Sequence, residues 1–258
     1  MNDFIGFIRP KITLYITGIA LFGYLLFNPL DYRIFFVFLG AFGISTAVYS
    51  FNMITDVEED VVNSKRINPY VKRPAGLLIV IVSFLMGFAS TFYLSRLAVY
   101  VYLIMSCVGF GYSYYRLKRI FPLKNLLTPV VTSSAFLLGA TVTNPITVEI
   151  TLNTLFVMLP VFMISVLGDL RDYEGDRKAG CKTLPTVIGY KKAKYTMYLS
   201  LLLFSVLSLL YFKPFAFMLI FMIPTVNLLI KDRPNTYQFL MLIGFALLPV
   251  YALVMLWI

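Results

Sequence analysis

The sequence predicts an all-α integral membrane protein, and three observations carry that reading. Of its 258 residues, 60% are hydrophobic and 13% charged, far from the roughly 45–50% apolar share of soluble domains, and the mean hydropathy is +0.84. The apolar residues run continuously over lengths near the roughly 20 residues that cross a bilayer as helix, without the ten-residue alternation of a barrel. The basic residues gather on alternate loops, as they do in multi-pass proteins. The chain reads as one membrane-embedded domain over residues 1–258.

In chain order, the apolar segments stand at about 12–30, 34–55, 77–95, 97–116, 125–142, 152–171, 193–211, 214–231 and 237–257, which predicts about nine transmembrane helices. The first segment is one of many alike, so no removed leader is expected. Helix is the default throughout, because a segment in lipid must satisfy its own backbone polar groups. Pro129, Pro160, Pro224 and Pro249 fall inside spans and are expected to kink them. Gly40, Gly43, Gly109 and Gly111 are expected to let helices approach closely. Cys107 lies in an apolar run and Cys181 in a charged loop, which predicts two free thiols. Histidine is absent, so any metal is expected to be held by oxygen.

Charge sets the orientation. With the N-terminus cytoplasmic, nineteen of the 22 Lys and Arg residues lie on the inner face and only Arg33, Arg96 and Lys213 on the outer. The positive-inside rule then predicts a cell-membrane protein with its N-terminus inside. Ten of the twelve acidic residues share that face, Asp31 and Glu149 being the exceptions. The rule does not ask for this, so the chemistry is expected at the cytoplasmic face.

Two acidic motifs dominate there. The first is Asn52-x3-Asp56-x3-Asp60; the second, "GDLRDYEGD", holds Asp169, Asp172 and Asp176. An Asp-x3-Asp pair thus recurs with four predicted spans between the copies, as in two pseudo-repeated halves around a central site. Positions i and i+4 share a helix face, and like charges stacked near hydrocarbon are costly. A compensating cation is therefore expected. Mg²⁺ binds through one or two carboxylates while sharing substrate phosphates, so two facing pairs suggest Mg²⁺ bridging to a diphosphate. A single such cluster could be no more than a solvated helix end; matched spacing at two disfavours this. Glu58, Glu59 and Glu174 lie off these faces and read as solvated charges.

Basic residues flank both motifs: Arg66, Lys72 and Arg73 after the first, Arg177, Lys178 and Lys182 after the second, and Arg116, Lys118 and Arg119 in "YYRLKR" between them. They suit phosphate oxygens, and equally serve as topology signals and partners of anionic lipid headgroups. Tyr112, Tyr114 and Tyr115 abut the same region. Their ring faces could stabilise a cation or anchor the chain at the membrane interface.

These residues carry a family resemblance. "NMITDVEEDVVN" with the later "KRP", "YSYYRLKRIFPLKN" and "DLRDYEGDRKAGCKTLPTVIG" together resemble, in order, the motifs of the UbiA superfamily of intramembrane prenyltransferases. The resemblance implies a helical bundle around a central cavity. It also implies Mg²⁺-dependent transfer of a polyprenyl group, geranylgeranyl in the first instance, from its diphosphate to a lipophilic acceptor. Carried over by position, Asn52, Asp56 and Asp60 hold one Mg²⁺ and Asp172 and Asp176 the other. Asp169 contacts the acceptor or a metal-bound water. Arg73 and Lys118 bind diphosphate oxygens, with Arg66, Lys72, Arg177, Lys178, Lys182 and Tyr115 as further substrate contacts.

The chain departs from the family pattern at Met53, where many relatives have Asp, and in a longer loop before Arg73-Pro74, which is expected to cap the cavity. The acceptor is left between geranylgeranylglyceryl phosphate and an aromatic acid, that is, between membrane-lipid and quinone biosynthesis. Expected partners are the prenyl diphosphate, the acceptor and membrane lipids, and no nucleic acid. The competing reading is a cation-coupled transporter, which would be expected to set some carboxylates near mid-membrane. Here all stand at one rim.

Overall fold

Backbone polar groups in lipid must be satisfied within the chain, and the computed structural model meets that demand with helix alone among the described residues. These are residues 3–62, 66–230 and 234–256, with side chains described at all of them except 59, 62, 118, 225–230, 234–241 and 256. In order, the helices are α1 (Asp3–Ile8), α2 (Pro10–Phe27), α3 (Arg33–Thr55), α4 (Val57–Val62), α5 (Pro74–Thr91), α6 (Arg96–Tyr114) and α7 (Leu123–Ala140). The second half holds α8 (Val148–Arg171), α9 (Tyr173–Lys178), α10 (Leu184–Ile188), α11 (Tyr190–Leu210), α12 (Leu219–Ile230) and α13 (Pro234–Leu256).

Helix runs through much of each expected span but stops before 28–30, 92–95 and 141–142. Among the described residues six helices, α2, α3, α5, α6, α8 and α11, are long and apolar enough to cross a membrane. Shorter apolar stretches run over Lys213–Pro224 and Leu242–Met255. In α7, Lys124, Asn125 and a run of hydroxyl residues dilute the apolar character. The four predicted prolines all sit inside helices, in α7, α8, α12 and α13.

The bundle packs α3 on α5, α2 on α3, α7 and α13, and α8 on α7 and α11. In lipid, helix association rests on close van der Waals packing and small residues. Gly43 shows how: a Cβ there would stand 2.7 Å from the Gly87 Cα and 2.6 Å from the Ser83 carbonyl oxygen. At the α2–α7 crossing Gly139 lies against the Ala20 backbone just as closely. Of the other expected packing glycines, Gly40 and Gly109 also meet neighbours, whereas Gly111 faces open space apart from Tyr115. Neither cysteine is in a disulfide, Cys107 being exposed and Cys181 buried.

One end of the bundle is tied by Asn28, whose amide donates to the Gly139 carbonyl at 3.1 Å and accepts from Thr143 N–H at 2.8 Å. Beside it Arg33 grips Asp31, and the Tyr24 hydroxyl donates to the same carboxylate at 2.7 Å. The guanidinium first, and then the phenol, hold Asp31 well below the usual carboxylate range. At the other end, the segment from Arg66 to Arg73 folds over α1. Asn68 donates to the Asp3 carbonyl at 2.8 Å, and Tyr70 stacks on Phe7 with ring centres 5.6 Å apart. The described part of the loop expected to cap the cavity, residues 66–73, fastens the N-terminal helix to the bundle.

Candidate active site

Each acidic motif forms the same local shape. Helix α3 ends at Thr55 and α8 at Arg171; Asp56 and Asp172 follow them, and one-turn helices α4 and α9 continue the path. The hydrogen-bond ladder survives the junction: Asp56 N–H reaches the Asn52 carbonyl and Asp60 N–H the Asp56 carbonyl, both at 2.9 Å. The second motif repeats this from Gly168 through Asp172 to Asp176, at 3.0 and 2.8 Å. The i, i+4 backbone hydrogen bonds therefore continue through both motifs, but each path bends, at Asp56 and at Asp172, rather than running along one unbroken helix.

All five aspartates and Asn52 line one cavity of about 690 Å³, within the usual range of small-molecule sites. Two corners of the first half and one of the second meet there: α1–α2, which brings Arg9 and Lys11; α3–α4; and α8–α9. Helix α7 adds Lys124, Thr128 and Thr132. Below this charged rim the wall turns apolar, with Ile12, Val161, Ile164 and Leu242. A narrower apolar slot of about 180 Å³ adjoins at Asn52, Tyr49 and Tyr112 and runs between α3, α6 and α7 past Ile44, Met105 and Val131.

Within the rim, Asn52 donates to Asp56 at 2.7 Å and accepts from the Ser113 hydroxyl at 3.1 Å. The second motif is more heavily braced. Asp169 is buried; one oxygen lies 2.5 Å from the Lys124 ammonium and the other accepts from the Asn125 amide at 2.8 Å. Asn125 in turn accepts the Leu184 N–H at 3.1 Å, so a single amide ties α7, α8 and the start of α10 together. Lys124 also stands 3.8 Å from Asp176. Arg171 holds Asp172 through two bonds of 2.8 Å.

Among the described residues no three acidic side chains converge tightly enough to ligate one ion by themselves. The donor set is oxygen only, one or two carboxylates to a site. That fits a hard divalent ion that completes its shell with a ligand's phosphate oxygens.

The expected basic contacts fall elsewhere. Arg66 pairs with Asp3 at 3.1 Å, Lys72 is exposed, and Arg73 caps α5 with its guanidinium 5.9 Å from the Tyr70 ring centre. Arg177 and Lys182 line a neighbouring hollow beyond Cys181, and Lys178 is exposed. Arg116 pairs with Glu58 at 2.9 Å. Tyr115 is exposed and meets Tyr114 edge to face, while Tyr112 lines the cavity. The Lys118 side chain lies outside the described residues. The cations that do line the cavity are Arg9, Lys11, Lys124 and Arg171. Sequence reading counted these only as topology signals. Lys124 and Asn125 did carry a cue, a charged and an amide residue opening an otherwise apolar run.

The UbiA prenyltransferase family matches residues 12–231 of the chain. A digeranylgeranylglyceryl phosphate synthase of Methanosphaera stadtmanae is 27% identical over 205 residues, 75% of this chain and 71% of the relative. Among solved structures, a UbiA homologue from Aeropyrum pernix superposes with a TM-score of 0.74 at 19% identity, covering 95% of this chain and 98% of the other. A UbiA homologue from Archaeoglobus fulgidus, bound to DMAPP and Mg²⁺, gives 0.69 at 16% identity over the full length of both chains. The structure of a digeranylgeranylglyceryl phosphate synthase gives 0.66 at 22% identity, covering 98% and 96%.

Proposed function

The chain belongs to the UbiA prenyltransferase family, and from that premise we propose that it transfers a geranylgeranyl group from its diphosphate to an anionic lipid acceptor of the geranylgeranylglyceryl phosphate type. The observation that carries this reading is the meeting of both acidic motifs in one cavity whose wall passes from charged rim to apolar slot. The diphosphate belongs at the rim, and the prenyl tail in the slot between α3, α6 and α7. Mg²⁺, as in the Archaeoglobus homologue, would be held by Asn52, Asp56 and Asp60 and by Asp172 and Asp176. When bound it supplies charge compensation to the departing diphosphate.

The protein's own groups do the rest. The allylic C–O bond breaks with its electron pair leaving on the diphosphate, and the acceptor oxygen forms the new C–O bond and gives up its proton to the released diphosphate. The apolar slot would keep water from the allylic cation, and Tyr49 and Tyr112, which line it beside Asn52, would stabilise that cation through their rings. Asp169, with both oxygens engaged by Lys124 and Asn125, acts as a positioning residue rather than an acceptor contact. Arg9 and Lys11 line the same cavity from the α1–α2 corner and would hold the acceptor's anionic head. The rim sits at the helix ends that the charge distribution assigns to the cytoplasmic side.

The curated Methanosphaera relative supports a glycerol phosphate acceptor over an aromatic acid. The test is diphosphate release, with product mass, by detergent-purified protein given geranylgeranyl diphosphate, Mg²⁺ and either geranylgeranylglyceryl phosphate or 4-hydroxybenzoate. A digeranylgeranylglyceryl phosphate mass is the expected outcome. A prenylated benzoate alone would overturn the acceptor assignment.

A further inference from the structure

Both acidic motifs are met by the same short stretch of chain. Helix α3 packs chiefly on α5 and α2, and α8 on α7, α11 and α13, so the two motif-bearing helices take their places from different neighbours. Helix α6, however, also packs on α3, and α7 on both α6 and α8. The turn that joins α6 to α7 therefore crosses from one motif to the other.

Side chains from Ser113 to Asn125 reach the motifs on both sides. On the first side the Ser113 hydroxyl donates to Asn52 at 3.1 Å, and the Arg116 guanidinium donates to Glu58 on α4 at 2.9 Å. On the second, Lys124 lies 2.5 Å from Asp169, and the Asn125 amide joins Asp169, at 2.8 Å, to the Leu184 N–H, at 3.1 Å. The path between is short and braced. Arg119 N–H reaches the Arg116 carbonyl and Ile120 N–H the Leu117 carbonyl, both at 3.0 Å, and Leu123 N–H the Ile120 carbonyl at 2.8 Å. Arg116 opens it in the left-handed region, φ 50° and ψ 41°, a conformation that a non-glycine residue keeps only where its surroundings fix it.

The Arg116–Glu58 pair is exposed, and an exposed pair contributes little to stability. What it supplies is position. Glu58 lies between Asp56 and Asp60 on the one-turn helix that follows the bend. A departing diphosphate compensated from both motifs at once needs them at one separation, because preorganised charge acts only where the oxygens will be. A misplacement of about 1 Å costs on the order of 100-fold in rate.

We propose that the α6–α7 turn is a strut that sets the distance between the two acidic motifs, with Ser113 and Arg116 as positioning residues for the first and Asn125 for the second. They act through Asn52, Glu58 and Asp169 rather than on the substrate. This rests on the reading of the cavity as a metal-assisted diphosphate site.

A distance measurement tests it without metal or turnover. With Cys107→Ser removing the exposed thiol, nitroxides are placed at Val61→Cys on α4 and Glu174→Cys on α9, both exposed positions. Double electron–electron resonance on the detergent-purified full chain is expected to give one narrow distance distribution. Arg116→Asn removes the guanidinium while asparagine tolerates the left-handed backbone, so Tm should hold and the distribution should broaden. Arg116→Glu should broaden it as well, and Glu58→Arg added to Arg116→Glu should restore the original width. In unlabelled protein the kcat of Arg116→Asn should fall about 10-fold, with the KM for prenyl diphosphate near its original value, and the exchanged pair should recover it. An unchanged distribution in both Arg116 variants, or a broadened one with kcat unchanged, would overturn the proposal. No diphosphate release by the unaltered chain with any acceptor would instead overturn the reading of the cavity, and the label distances would then decide the strut by themselves.

Discussion

Asp56 and Asp172 adopt the same backbone conformation, φ −93° and ψ 6° for one, φ −92° and ψ 9° for the other, each at the bend between a long helix and a one-turn helix. A carboxylate at such a bend leaves the helix end while the i, i+4 hydrogen bonds carry on past it. Both motifs therefore turn their second aspartate back toward the same cavity. Replacing either carboxylate by its isosteric amide keeps the bend and removes the charge. Asp56→Asn and Asp172→Asn should each lower turnover by about 10²–10³-fold or more with little change in Tm. Full activity in both would refute a charge-compensated leaving group.

Asn125 is the amide on which the second motif depends, since its two ends hold Asp169 and Leu184 N–H. Asn125→Ala leaves a buried carboxylate oxygen and a backbone donor without partners. Such orphaned groups cost about 1–3 kcal/mol each. Thermal unfolding should show the loss, and kcat should fall while the KM for prenyl diphosphate changes less.

Arg9 precedes Pro10 at the start of α2 in the left-handed region, φ 49° and ψ 58°, a conformation that costs a non-glycine residue about 1–2 kcal/mol and that glycine adopts freely. Arg9→Gly therefore removes the guanidinium while easing the backbone. Tm is expected to hold or rise. The KM for geranylgeranylglyceryl phosphate should increase about 10–100-fold, as for loss of a charged hydrogen bond, with the KM for prenyl diphosphate near its original value. An equal rise in both would move Arg9 to the diphosphate.

At Gly139, against the Ala20 backbone, and at Gly43, against Gly87, added side chains must push helices apart. Gly139→Val and Gly43→Leu should each destabilise by at least about 1–3 kcal/mol, read as lower Tm and earlier aggregation in detergent. Gly111→Ala, which meets almost nothing, serves as the tolerant control.

The Asp31 carboxylate, held low by Arg33 and Tyr24, sets a pH dependence at the opposite end of the bundle. A depressed folded-state pKa contributes stability that is present above the unfolded value, about 3.9, and is lost as pH falls below it toward the folded value. Unfolding temperature should therefore drop as pH is taken below about 4, and Asp31→Asn should flatten that slope. An unchanged slope would show that the clamp does not contribute.

How much of this was legible beforehand follows from the kind of signal each feature leaves. The apolar runs and the two Asp-x3-Asp motifs are written in local order, because membrane thickness sets one length and the helix repeat sets the other spacing. The helical class, the family and the two acidic motifs that meet in the cavity could therefore be read from the sequence alone. The positive half could not. Arg66, Lys72 and Arg73 lie close to the first motif in sequence, yet the segment they sit on packs over α1 through Asn68 and Tyr70. Arg9, Lys11 and Lys124, distant in sequence from the first motif, are carried by the bundle to the cavity beside Arg171. A basic residue in a loop has the same local signature whether it marks topology or meets a phosphate. Only the crossing of α2, α7 and α8, set by small residues such as Gly139 and by the Asn125 bridge, decides which of them faces the carboxylates.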